Sequence, residues 1–595
     1  MATDTAPQPQ FYSRLLLLVA GLGGLLYGVD VGIIAGALPY LEATSGLNAQ
    51  QISFVVAAVL MGTVISTLFA GFLSDRLGRK PVMIVSGVLF AASIPIIALS
   101  HGYGPLILGR LCQGVSAGLI GVVVPLYLAE CLAPGERGRG TAIFQWLLTI
   151  GIVAAALVGM YFSLRVEEVA KLGNPHLLFA FKDKAWRGIF WVSLPPGLLF
   201  VLGSFWVPES PRWLFRQGKP QLALAALERS RPPAQARLEL QEMERAGEAE
   251  QKKTAGRKIA ESLLKRKYVI PFLLACLILG LNQTTGINSI IGYNTDILIQ
   301  SGLSDVQAHW GYIIFTTINA LATVIGVVLV DRKGRKFLLS LGTAGIVISL
   351  LFSGLLFTRS ERDRVDVRQE ATAMASGGQA MHFDFTPALE RKWLTEAGHP
   401  ELANRPAALT IIYSYGSFSA STPVVRSNTP QSAQVAIDRA SCVPANGVLA
   451  FFSNPFGNLQ QARTAPLRIE HALVTPLPSR ENGWLVALTL FLFVGFYAMG
   501  PGICVWLALS ELMPTRIRSN GMSIALLINE AIAAFIQAIF LPTVGRYGYA
   551  VMFFGFAAFT VLYFVTVTFY FPETKGKTLE EIEAYFSGEV PEAAN

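Results

Sequence analysis

DRLGRK, residues 75–80, returns as DRKGRK at 331–336, an offset of 256 residues. A short charged motif repeated at that distance points to duplication of a whole folding unit. Two further pairs follow in the same order. LAE ending at Glu130, with Arg137 seven residues on, returns as LSE ending at Glu511, with Arg518 seven residues on, the offset now being 381. PES at 208–210 returns as PET at 572–574, an offset of 364. Two halves account for all three matches, provided that about 125 extra residues sit in the second half and a smaller insertion in the first. The first insertion falls at roughly 358–481, polar and rich in Ser, Pro and Arg, and the second at roughly 164–186.

The units themselves are apolar. The chain has 595 residues, 52% hydrophobic and only 14% charged, with a mean hydropathy of +0.49, values too apolar for a soluble core. Runs long enough to cross a bilayer as helices lie near 14–36, 52–73, 81–100, 105–129, 139–163, 188–207, 267–299, 308–330, 337–357, 484–510, 519–543 and 549–571. The first lacks a small-residue cleavage site and is followed at once by further spans, so it reads as a retained helix. The chain is therefore an all-α membrane protein of twelve transmembrane helices in two six-helix halves.

Basic residues orient it. Arg76, Arg79 and Lys80, then Arg137 and Arg139, then Arg332, Lys333, Arg335 and Lys336, then Arg516 and Arg518 fall in alternate short loops, which places both termini in the cytoplasm. The net charge of +8 is mostly this bias, not a nucleic-acid surface. Five cysteines, four of them in or at the ends of helices, build no disulfide framework. The outer loops carry no Asn-x-Ser/Thr acceptor, which favours a bacterial inner (plasma) membrane. The expected organisation is a first half over 1–207, a cytoplasmic helical linker over 208–266, a second half over 267–357 and 482–571, an extracytoplasmic insertion over 358–481 between helices nine and ten, and a cytoplasmic tail over 572–595. Within the insertion, ALTIIYSYGSFSAS (408–421) has the character of a strand pair.

Further motifs carry a resemblance. GFLSDRLGRK (71–80), GR (109–110), PLYLAE (125–130), PESPRWL (208–214), QTTGIN (283–288), GPGICVW (500–506) and PETKG (572–576) resemble the sugar porter family of the major facilitator superfamily. DRxGRK alone marks only the superfamily; PESPRWL and PETKG at the ends of the two halves are more specific. The resemblance implies a transporter working by alternating access, with sugar and proton as its partners in the bilayer, no cofactor or metal, a monomeric state and no enzymatic activity. It further implies that Asp75, Arg79, Glu130 and Arg137, with Asp331, Arg335, Glu511 and Arg518 in the second half, form a cytoplasmic gate. Glu209, Arg212 and Glu573 are available there to cross-link the halves.

Polar residues inside the spans should meet the substrate, because polar groups are costly in hydrocarbon unless they face a cavity or one another. Gln145, Gln283, Asn288, Asn319, Trp506 and Asn529 match positions through which sugar porters bind sugar. Amides suit a ligand made of hydroxyls, since each offers donors and an acceptor. Trp506 offers an aromatic face beside the breakable GPG stretch. Asn282 stands where the family usually has the first of two glutamines, and Glu530 where a tryptophan is common. A stripe of Ser523, Glu530 and Gln537 at seven-residue spacing puts Glu530 on an inward face, lining the sugar cavity.

Asp30 is the remaining anomaly, an acid within LLLLVAGLGGLLYGVDVGIIAGALPYL. It lies about 24 Å along helix one from its cytoplasmic end, a depth matched by Arg110 on helix four. In the family, an acid at this position accompanies proton coupling and a neutral residue accompanies facilitative transport. Asp30 and Arg110 are therefore the expected proton-coupling pair of a proton-coupled symporter for a monosaccharide or polyol. The alternatives are a facilitative sugar uniporter and a non-transporting sugar sensor.

Overall fold

The computed structural model describes residues 9–132, 137–255, 265–375, 379–428, 434–447, 450, 454, 456–514, 517–575, 577, 581–582 and 585–586. Twelve helices among them are long and apolar enough to cross a bilayer: Arg14–Thr44, Ala49–Leu77, Arg79–Ala98, Tyr103–Cys131, Ile143–Ala170, Pro175–Trp206, Arg266–Gly292, Asp305–Val330, Arg335–Glu361, Arg480–Leu512, Gly521–Tyr547 and Tyr549–Tyr570. They are helices one to twelve below.

Backbone chemistry explains the breaks. Helix seven is interrupted at Gly286, whose φ of +82° favours a residue without a side chain, and a short helix, Asn294–Gln300, follows it after Tyr293. Helix ten breaks at Gly500, where Pro501 removes a backbone donor. Helices two and three, and likewise eight and nine, are joined by single glycines of positive φ, Gly78 and Gly334. Helix one packs on helix five through glycines four residues apart: a Cβ at Gly24 or Gly28 would strike the carbonyl oxygens of Phe144 or Leu148, and one at Gly36 would meet Gly159. Small residues at that spacing let two backbones approach, which replaces the missing hydrophobic driving force in lipid.

The segment 164–186 differs from the expectation of an outer insertion. Helix five continues to Ala170 and helix six starts at Pro175, capped by Asn174. The apolar run at 188–207 marks only the end of this helix, because its first part, PHLLFAFKDKAWRGIFW, is amphipathic; the buried face carries Leu178, Ala185, Trp186, Ile189 and Phe190.

Each half has its own core near the DRxGRK loops. Phe90, Val123, Tyr127 and Phe200 belong to one, and Leu279, Leu339, Leu509 and Tyr563 to the other. At the opposite side a single core runs through both halves, joining Ile33, Leu38 and Ile189 to Tyr293, Tyr312 and Phe493. Cross-half hydrogen bonds gather there too: the Tyr40 hydroxyl donates to Asp305 Oδ2 at 2.7 Å, Ser163 to the same oxygen at 2.6 Å, and Tyr312 to the Gly32 carbonyl at 3.0 Å. The halves are thus closed against each other on that side.

Between helices nine and ten lies an α/β unit with a core of its own, including Trp393, Leu409, Ile411, Tyr413 and Ile469. Its main sheet has strands β1 (Val365–Asp366), β7 (Leu467–Pro476), β3 (Ala407–Tyr415) and β4 (Phe418–Ser421) in that order, with β5 (Val425–Arg426) also paired to β3. β2 (Met381–Asp384) and β6 (Gln434–Ile437) form a second antiparallel pair. β3 and β4 are an antiparallel hairpin, as the stretch 408–421 indicates. Between the halves run short helices Pro211–Arg216, Pro220–Glu228 and Pro233–Ala255.

Candidate functional site

Helices one and four bring Asp30 and Arg110 together, Oδ1 to Nη1 at 3.7 Å, with each residue only 1% exposed. Arg110 is held from two other directions: its Nη1 donates to Gln113 Oε1 at 2.7 Å, and its guanidinium lies over the Phe190 ring at 5.6 Å. The Asp30 carboxylate has no such support, and neither of its oxygens accepts a hydrogen bond among the described residues. A buried acid tied to a cation by charge alone is the kind of group that can gain and lose a proton without dismantling a network.

The central amides meet on helices seven and eleven. Asn288 Nδ2 donates to Gln283 Oε1 at 2.8 Å, Gln283 Nε2 donates to Asn529 Oδ1 at 3.1 Å, and Asn529 Nδ2 donates to Glu530 Oε1 at 3.2 Å. This chain crosses the break at Gly286, which lies between Gln283 and Asn288. Gln537 Nε2 reaches the Asn288 carbonyl at 3.4 Å, while Ser523 of the same stripe is exposed. Asn282 donates to the Tyr497 hydroxyl at 3.2 Å. Tyr497 was not among the residues singled out from the sequence, since a tyrosine in an aromatic-rich span has no distinguishing pattern. Gln145 and Trp506 are exposed and Asn319 half-buried, and none of the three shares a hydrogen bond with the Gln283–Asn529 chain.

At the DRxGRK side the two halves repeat one construction. Arg79 grips Glu130 through Nε at 2.8 Å and Nη2 at 2.9 Å, and meets Asp75 at 2.9 Å. Arg335 grips Glu511 at 3.2 and 3.1 Å. Glu209 and Glu573 cap the N-termini of helices three and nine: Glu209 accepts from the backbone N–H of Arg79 at 2.9 Å, Glu573 from that of Arg335 at 3.1 Å. A carboxylate at a helix N-terminus meets unpaired donors and the positive end of the dipole. Gly78 and Gly334 leave room for it, since a Cβ there would lie 2.2 Å from Glu209 and 2.5 Å from Glu573. Burial pushes the Glu209 carboxyl above its ordinary range, with the backbone donors of Ser210, Lys80 and Arg79 pulling it back. Ser210 and Thr574 complete the symmetry by donating to Glu130 and Glu511 at 2.5 and 2.6 Å.

This geometry corrects the expected cross-link. Glu209 and Glu573 each bind within their own half, because each follows directly on the last helix of that half. Both networks are formed while the halves are closed at the other side. Arg212 is exposed with no ion pair among the described residues; Arg216, one helical turn on, approaches Asp75 at 3.8 Å instead. The side chains of Arg137, Asp331 and Arg518 lie outside the described residues.

With fold and site in view, the comparisons agree on a class. Residues 16–383 and 471–586 match the family described as "Sugar (and other) transporter", and the chain belongs to the sugar porter family of the major facilitator superfamily. The human proton myo-inositol cotransporter is 27% identical over 575 residues, covering 96% of this chain and 81% of the relative. The arabinose-proton symporter of Bacillus subtilis (strain 168) is 31% identical over 343 residues, 58% of this chain and 71% of that protein. Among solved structures, an inward-open conformation of the xylose transporter XylE from E. coli superposes with a TM-score of 0.63 at 20% identity, covering 96% of this chain and all of that one. The protein is an integral multi-pass membrane transporter, and its relatives are transporters, not enzymes.

Proposed function

We propose that the chain is a proton-coupled symporter that imports a monosaccharide or polyol by alternating access, lying in a bacterial inner membrane with both termini and the DRxGRK loops in the cytoplasm. The observation that carries coupling is the buried Asp30–Arg110 pair on helices one and four, in which the acid accepts no hydrogen bond among the described residues and the guanidinium donates to Gln113 through Nη1 while its Nε has no hydrogen-bond partner among them. Protonation from the insertion side would neutralise Asp30 and loosen its hold on Arg110; rocking of the halves would then carry proton and sugar inward. Gln283, Asn288, Asn529 and Glu530 already form a string of donors and acceptors of the kind that sugar hydroxyls can enter. Gln145, Asn319 and Trp506 join them in the proposed site as residues that the sugar itself would bring into contact. The two Arg–Glu networks brace the cytoplasmic end of each half during rocking. Uptake of a panel of labelled sugars into proteoliposomes, with and without an imposed pH gradient, tests the reading. A sugar accumulated only with the gradient supports it, and gradient-independent equilibration would make the protein a facilitative carrier.

A further inference from the structure

A cavity of about 580 Å³ lies between the α/β insertion and the ends of helices one, five, six and eight, within the size range of small-molecule sites. Both halves and the insertion contribute to its wall, with Tyr40, Glu42 and Lys182 from the first half, Asp296 and Asp305 from the second, and Arg426 from the insertion. Residues 422–426 line it from the insertion. Arg426 is fixed there by hydrogen bonds to the Ile299 carbonyl and to Gln300 Oε1, and Asn48 at the start of helix two donates to the Ser441 carbonyl. The insertion is therefore bonded to both halves across their seam, which a passive linker between helices nine and ten has no reason to be.

Asp305 gives the cavity a mechanical meaning. Its Oδ2 accepts from Tyr40 and from Ser163 of the opposite half, and its side chain remains 33% exposed. One carboxylate thus both closes the seam and faces the cavity. Hydroxyls arriving there compete with Tyr40 and Ser163 for the same acceptor. Four carboxylates in the lining, Glu42, Glu167, Asp296 and Asp305, with the Lys182 ammonium and the Arg426 guanidinium as donors, suit a ligand that carries many hydroxyls, each able to give and take a hydrogen bond.

We propose that this cavity is an outer capture site for a polyhydroxylated solute, and that solute bound there weakens the Tyr40–Asp305 and Ser163–Asp305 bonds and so favours opening of the seam. The proposal rests on the sugar-transport reading, adding to it a second site before the central one. It is tested on the detergent-solubilised full chain carrying Val424→Cys or, separately, Ala43→Cys, two cavity-lining positions, one on the insertion and one on helix one. The rate of maleimide labelling is measured against D-glucose and myo-inositol concentration. Mass action predicts about tenfold slower labelling at ten times the dissociation constant. Protection should persist when Asn288→Ala is added, and Asp305→Ala should move its midpoint about tenfold higher. Absence of protection at both cysteines overturns the proposal, as does protection that vanishes with Asn288→Ala, which would report a change of conformation driven from the central site. Uptake by the unmutated chain in proteoliposomes, measured in parallel, separates failure of the capture site from failure of the transport reading.

Discussion

Replacing Asp30 by Asn removes the charge of the proposed coupling pair while keeping its shape. At 3.7 Å and an effective dielectric near 20, the Asp30–Arg110 attraction is about 4 kcal/mol. The variant therefore leaves Arg110 buried without its counter-ion, and Gln113 and Phe190 become its remaining support. Breaking a buried pair on one side costs roughly 3–5 kcal/mol in stability, so a lower melting temperature is expected and must be measured alongside transport. On transport the expectation is sharper. A gradient of one pH unit supplies about 1.4 kcal/mol per proton, enough for about tenfold accumulation at one proton per sugar. Asp30→Asn mimics the protonated acid and should reduce that ratio to unity, while counterflow exchange without a gradient continues. In the unmutated protein, uptake should rise as the pH on the insertion side falls, and this dependence should be missing from the variant. Tenfold accumulation by folded Asp30→Asn protein would refute the assignment.

Three other perturbations follow from the geometry. Glu530→Gln keeps one acceptor for Asn529 but loses the charge, and should change sugar affinity or preference; unchanged affinity, preference and pH dependence in uptake assays would make Glu530 structural. Replacing residues 362–478 by a short flexible linker removes none of the central amides, so uptake should remain measurable, with a raised KM if the outer cavity captures solute. Complete loss of transport in a folded deletion protein would show that the insertion is essential to the cycle. Gly28→Leu drives a side chain into the Leu148 carbonyl, which a Cβ alone would approach to 1.9 Å, and should prevent helices one and five from packing; normal yield and thermal stability by size-exclusion and melting assays would contradict this.

Much of the site was legible because it is written in pairs. Glu130 and Glu511, Arg79 and Arg335, Glu209 and Glu573 recur with the same neighbours, and the structure places each pair equivalently. What the motifs could not tell was the partner: Glu209 caps the helix beside it and does not reach across to the other half, and Arg216, not Arg212, approaches Asp75. The glycines at 24, 28, 32 and 36 stood in plain view in helix one, yet their common face became meaningful only against helix five.

The amino-acid sequence by itself determined the membrane class, the duplication and the acid in helix one, because each of these is local: hydrophobic run length, a repeated motif and a charge where charge is costly. The first part of helix six, ahead of the run at 188–207, escaped the same reasoning, since an amphipathic segment of the PHLLFAFKDKAWRGIFW kind hides its apolar face from an averaged hydropathy. Only the tertiary structure decided which polar groups meet. The 3.7 Å contact of Asp30 with Arg110, the links from Asn288 through Gln283 to Asn529 and the bonding of the insertion to both halves join residues from 5 to 393 positions apart. Such pairings depend on the rotation and depth of each helix in the bundle, which are set by packing against neighbours and carry no signature in any one segment.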